Sequence, residues 1–286
     1  MHFVLFSVLC SVSVAVLLKY ARQNGLDIWQ MIVWNYPAAV CLTYFIFQPS
    51  FSGIQLSSLP WAIYVAVAIL LPTLFMILSQ SLRHAGLIRT EVAQRLSLVI
   101  SILAAAWLFH EEFSFIRLAG IVVGFLAVIA LIGWRKGQQS RGQSHYLLFP
   151  LLVFVGYGAI DILFKMVALE RSVPYTTSMF FIFCGAMLFA FCKLTYDRAM
   201  HNRRISKSAL FFGLILGVLN FGNILFYMKA HQTLADSPSV VFTGMNIGVI
   251  ALGAIVGVWL FNEKLSKMNM IGIALAIVSV LMISYL

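Results

Sequence analysis

Trp107-Leu108-Phe109-His110-Glu111 and Trp259-Leu260-Phe261-Asn262-Glu263 are two copies of one pattern, W-L-F-x-E, set 152 positions apart. Behind each copy, at matched spacing, come a serine (Ser114, Ser266) and a glycine (Gly120, Gly272), and a long apolar run flanks each on both sides. A hydrophobic unit repeated within one chain decides the architecture before any single residue does. It predicts two homologous membrane halves.

The bulk chemistry agrees. Of 286 residues, 62% are hydrophobic and 10% charged, with a mean hydropathy of +0.98. Soluble domains carry about 25% charged residues, so this chain cannot clothe itself for water and is predicted to lie in a lipid bilayer. The net charge of +10 would suggest nucleic acid in a soluble protein. In a membrane protein it reads as basic cytoplasmic loops, and no nucleic-acid partner is expected. Cys10, Cys41, Cys184 and Cys192 sit in apolar runs without metal-ligand spacing; no metal and no cofactor are expected. The first apolar run has neither a basic leader nor a convincing small-x-small cleavage site, and reads as a retained span.

Spans of about 20 apolar residues fall near 2–19, 29–47, 60–83, 87–109, 115–134, 146–168, 175–195, 208–231, 237–261 and 268–286. Pro60, Pro150, Pro174 and Pro238 stand at helix starts, where a missing N–H costs little. The fold class is therefore an all-α polytopic membrane protein of ten helices in two five-helix repeats, 1–138 and 139–286. A looser match aligns Lys19 with Lys165. Because five is odd, the second repeat must enter the membrane inverted. Such repeats support two conformations around a site near the midplane.

Odd-numbered loops collect Lys19, Arg22, Arg83, Arg89, Arg135, Lys136, Arg141, Lys193, Arg198, Arg203, Arg204, Lys207, Lys264 and Lys267; the other face has Arg117, Lys165, Arg171 and Lys229. The positive-inside rule puts the first group in the cytoplasm and both termini outside. A plasma (bacterial inner) membrane location is expected.

Polar groups within spans are costly and mark pathways or paired interior sites. Glu91 and Arg95 are one turn apart, with Gln94, Ser97 and Ser101 on nearby faces. They either neutralise each other or snorkel as helix-end structure, or they form an anion anchor (Arg95) beside a coupling carboxylate (Glu91). In the matched helix Thr243, Asn246 and Ile247 replace Glu91, Gln94 and Arg95, so the stripe is repeated and the charge is not. Pro72 and, at the corresponding place, Gly222 between Asn220 and Asn223 read as hinges or as ordinary kinks. Asp161, after Gly156-Tyr157-Gly158 and one turn before Lys165, is either half of an ion pair or a second coupling carboxylate. Trp34-Asn35-Tyr36-Pro37 reads as a cavity wall. The candidate substrate-binding set is Arg95, Gln94, Asn35, Tyr157, Asn220, Asn223, Thr243 and Asn246. Trp107, Glu111, Trp259, Glu263, Lys19 and Lys165 are predicted to be structural, the glutamates capping tight turns. His110-Glu111-Glu112 lacks the second histidine of a zinc-protease motif.

The paired W-L-F-x-E motifs, their following glycines, and Lys19 and Lys165 resemble the EamA type of the drug/metabolite transporter superfamily, across essentially the whole chain. The resemblance implies a central cavity lined by helices one to four and six to nine, with the fifth and tenth packed outside. It implies transport of amino acids, sugars, nucleotide sugars, nucleobases or drugs, coupled to protons or by exchange. Many relatives have an arginine early in the second helix, where this chain has Asn35, and many keep their termini in the cytoplasm. The expected partners are a small-molecule substrate and the lipid bilayer, with the chain a monomer or weak homodimer. A non-transporting scaffold or sensor subunit, and an intramembrane enzyme, are the competing functions.

Overall fold

A computed structural model describes residues 2–52, 59–100, 103–104, 114–132, 145–170, 173–201, 205–234 and 238–285. Those residues form ten helices: α1 (His2–Gln23), α2 (Ile28–Leu42), α3 (Trp61–His84), α4 (Leu87–Leu96), α5 (Phe115–Ile132), α6 (His145–Leu169), α7 (Tyr175–His201), α8 (Lys207–Thr233), α9 (Pro238–Phe261) and α10 (Lys267–Tyr285). Only helices or closed barrels satisfy every backbone group in hydrocarbon, and this chain takes the helical solution. Among the described residues, seven helices are long and apolar enough to cross a membrane, and Leu118–Ala127 and Lys267–Ile283 are shorter apolar helices. The fourth turns at Ser97 and resumes as helix over 98–100 and 103–104. Large apolar side chains such as Phe45, Phe115, Leu188 and Trp259 face outward, as a lipid-solvated surface requires.

Prolines are used differently from expectation at one helix. Pro60 and Pro174 precede helices and Pro238 starts one, whereas Pro150 lies inside α6. Pro37 and Pro72 are also internal, and α3 runs through Pro72 without ending. Beside Pro72, the Thr73 hydroxyl donates to the carbonyls of Ile69 (2.9 Å) and Leu70 (2.8 Å). Side-chain hydroxyls commonly re-satisfy backbone around a membrane proline.

The chain forms two compact units, one of Met1–Lys19, Ile77–Ala159 and Gly222–Leu286, the other of Tyr20–Met76 and Ile160–Phe221. Neither is one of the sequence repeats: each draws on both halves, and α1, α3, α6 and α8 contribute to both.

In the first unit, glycines set the helix approach along α9. A Cβ on Gly248 would lie 2.8 Å from Val8 of α1, one on Gly253 would lie 3.2 Å from Glu91, and one on Gly257 would lie 2.5 Å from Ile88. Small residues spaced this way let membrane helices pack backbone to backbone. Val4, Val8, Val12, Val241, Met245 and Val249 fill the resulting seam. On another side of the same unit, α5 packs along α10, where Ser279 Oγ donates to Gly120 O at 2.8 Å.

In the second unit, Gly213 and Gly217 of α8 bring it against α2, and α2 packs on α7. Asp27 caps α2 by accepting from Gln30 N (3.1 Å), and Gln30 Oε1 accepts from Ser206 N at the start of α8 (2.8 Å). The second helix finishes in a π-helical turn, Thr43–Phe47, where Thr43 donates to Ala39 O at 2.7 Å.

Candidate functional site

Glu263 ends the second W-L-F-x-E copy, and its carboxylate is used on another helix. Asn262 takes the left-handed conformation (φ 51) that asparagine tolerates, and Glu263 N donates to Gly257 O at 3.0 Å. This reversal after α9 aims the carboxylate at the start of α4. There it accepts from Leu87 N and from Ile88 N (3.1 Å) and pairs with Lys19 at the end of α1. The unpaired N–H groups of a helix start, with their positive dipole end, suit a carboxylate. Gly86 begins α4 at φ 90, and a Cβ there would lie 2.7 Å from Glu263 Oε1. Lys19 Nζ also sits 4.0 Å above the centre of the Phe261 ring. The turn-capping role expected of Glu263 is thus a cap on a distant helix. The adjoining turn is capped by Ser266, whose Oγ accepts from Asn269 N at 3.2 Å.

Deeper along α1 and α4 the polar groups are less completely matched. Arg95 Nη2 donates to Ser11 Oγ of α1 at 2.5 Å, while Arg95 Nε is buried without a hydrogen-bond partner. Glu91 is 1% exposed and its Oε2 is likewise unpartnered. No ion pair joins Glu91 to Arg95 among the described residues. One turn nearer the N-terminus of α1, Ser7 Oγ donates to Asn223 O (3.0 Å), and Asn223 Nδ2 donates to Ser7 O (2.9 Å). Ser7 and Ser11 therefore bring Asn223 and Arg95 to one face of α1. Sequence reasoning passed over both serines. Their i, i+4 spacing within an otherwise apolar span was the available signal.

In the second unit Asn35 is fully buried, and both its Nδ2 and Oδ1 lack partners. The Trp34 indole N–H is buried and unpartnered beside it in sequence. The tight packing of α8 accounts for the burial: a Cβ on Gly217 would meet Asn35 O at 2.5 Å. Asn220 and Asp161 belong to this unit too, Asn220 half-buried and Asp161 exposed.

Tyr157, Asp161, Lys165 and Asn246 each have interaction partners. Gln94 is half-buried, and its carbonyl accepts from Ser97 Oγ at 2.6 Å. Gly222 does not break α8; a Cβ there would stand 3.2 Å from Cys10 Sγ of α1. Trp259 is 89% exposed and packs on little of the chain. Trp107 and Glu111, and the side chain of Thr243, lie outside the described residues.

Comparison with known proteins matches the chain twice to the EamA-like transporter family, over residues 1–133 and 144–285. An uncharacterized protein of Haemophilus influenzae is 40% identical over 291 residues, an alignment covering 100% of this chain and 98% of that protein. A chain of known crystal structure superposes with a TM-score of 0.58 at 14% identity, covering 98% of this chain and 94% of the other, a likeness of fold alone. With ten helices, a duplicated sequence and family matches over both halves, this multi-pass membrane protein belongs to the EamA-like transporter family.

Proposed function

We propose that the chain is a secondary transporter, carrying a small polar or amphipathic metabolite across the membrane by alternating access of two inverted repeats, 1–138 and 139–286. The observation that carries this reading is a set of buried polar atoms without partners: both amide atoms of Asn35, Glu91 Oε2 and Arg95 Nε. Leaving such atoms unmatched is expensive, and a polar ligand that visits them repays the cost. A scaffold gains nothing from that expense. The candidate substrate-binding residues are Arg95, Gln94, Tyr157, Asn223, Thr243 and Asn246 of the first unit and Asn35 and Asn220 of the second, with Pro72 and Gly222 as candidate hinges.

The transport runs with a proton gradient or as an exchange. Glu91 is the better-supported coupling carboxyl because it is buried and partly unmatched, whereas Asp161 is exposed and already engaged. Purified protein in proteoliposomes, offered radiolabelled amino acids, sugars, nucleobases and organic acids with and without a pH gradient, tests the reading. Uptake of at least one class is expected; none across the whole panel would sink it. Asp161→Asn should leave pH-gradient dependence intact and Glu91→Gln should remove it, and the reverse result exchanges their roles. The protein sits in the plasma membrane with both termini extracytoplasmic, as a monomer or weak dimer. Labelling of Ser140→Cys from outside intact cells would overturn that orientation.

A further inference from the structure

Ser11 holds Arg95 at a point where two charged groups one helical turn apart fail to meet. Glutamate and arginine at i, i+4 in a helix ordinarily attract, and in a low-dielectric interior the attraction is strong. Here the guanidinium is instead drawn to the α1 hydroxyl, Nη2 to Oγ at 2.5 Å, leaving Arg95 Nε and Glu91 Oε2 buried and unmatched. Among the described residues, the elements around α4 bring no substitute charge into ion-pair contact with Glu91. Gly253 faces it from α9, α1 offers Ser11, and Asn269 of α10 accepts from Arg89 (3.5 Å). Gly124 of α5 lies against Val99 and Leu96. Lys19 and Glu263 are engaged with each other at the start of α4.

We propose that Ser11 is a positioning residue that keeps Arg95 open to a carboxylate-bearing substrate, and that Arg95 returns to Glu91 when the substrate leaves. The inference rests on the transporter reading and names its substrate class. A guanidinium presents a planar fork of donors matched to a carboxylate, and the unpartnered Nε supplies one prong. With Arg95 on Ser11, Glu91 carries a proton taken from water on the side of entry. When the carboxylate departs, that proton goes to water on the side of exit and the bare Glu91 carboxylate recovers Arg95. Carboxylate and proton therefore bind together or not at all.

The test uses the full chain, purified in detergent and titrated with propionate, L-lactate and benzoate, and with their three amides, at pH 6 and pH 8. Binding is followed by thermal stability. The carboxylates should stabilise the wild type, more strongly at pH 6, and the amides should not. Ser11→Ala should weaken carboxylate binding about tenfold and flatten its pH dependence, and Ser11→Thr, which keeps the hydroxyl, should restore both. Glu91→Gln provides a second variant should Ser11→Ala fail to fold: carboxylates should bind it equally at the two pH values. Amides binding as well as acids, an unchanged Ser11→Ala profile, or loss of carboxylate binding in Glu91→Gln would each overturn the proposal. Carboxylate binding without uptake in proteoliposomes supports this site and fails the transporter reading. Uptake of the amides with an unaltered Ser11→Ala variant does the opposite.

Discussion

Two rungs join α1 to α4, and they treat charge in opposite ways. At the first, Lys19, Glu263 and the opening N–H groups of α4 satisfy one another. The second lies eight residues further along each helix, about 12 Å at the helical rise, where Ser11 meets Arg95 and leaves Glu91 and part of the guanidinium unmatched. The same pair of antiparallel helices thus carries a closed electrostatic joint and an open one. The difference teaches which charges hold helices together and which are left unmatched between them. A satisfied buried charge is costly to disturb; an unsatisfied one costs stability until something arrives.

The largest effect should come from breaking the closed joint. Glu263→Ala removes the helix cap and leaves Lys19, 7% exposed, without its counter-ion, a loss of about 3–5 kcal/mol. Thermal unfolding in detergent should show it, and an unchanged melting temperature would mean the joint is ornamental. Exchanging the charges (Lys19→Glu with Glu263→Lys) should fail to rescue, because a lysine cannot accept from Leu87 and Ile88 N–H. Full rescue would reduce the joint to a simple ion pair.

A smaller loss is expected where α8 seals Asn35. Gly217→Ala puts a Cβ against the Asn35 carbonyl, which is backbone and cannot rotate away, and should cost about 1–3 kcal/mol by the same measurement. Asn35→Leu sharpens the contrast from the open side. Replacing an amide with two unmatched atoms should raise stability by about 1 kcal/mol while abolishing uptake. A destabilised variant would show that Asn35 is part of the frame after all. The least effect belongs to Trp259→Ala, within about 0.5 kcal/mol, since that ring is 89% exposed.

That last expectation bears on how the sequence could be read. The W-L-F-x-E repeat identified the duplication, and through parity the inversion, because repeated letters survive without knowledge of contacts. It did not show that the repeated tryptophan of the second copy faces outward while the glutamate reaches back to α4. Nor could it show that Arg95 bonds to Ser11, a residue 84 positions away. The i, i+4 rule pointed to Glu91 as its partner, and a tertiary competitor won. Pro150 reads as a helix start from its neighbours, yet α6 begins at His145. Local sequence at that boundary carries too little information to place it.

Sequence alone determined that the chain lies in a bilayer, that it is helical, that it is doubled and that its family is EamA-like. Hydrophobicity, the backbone's need for internal hydrogen bonds and the repeat itself suffice for those. Only the tertiary structure decided which polar groups are spent on holding helices together and which are left over. That depends on distances between residues far apart in the chain: the reach of Glu263 to α4, and of Arg95 to Ser11.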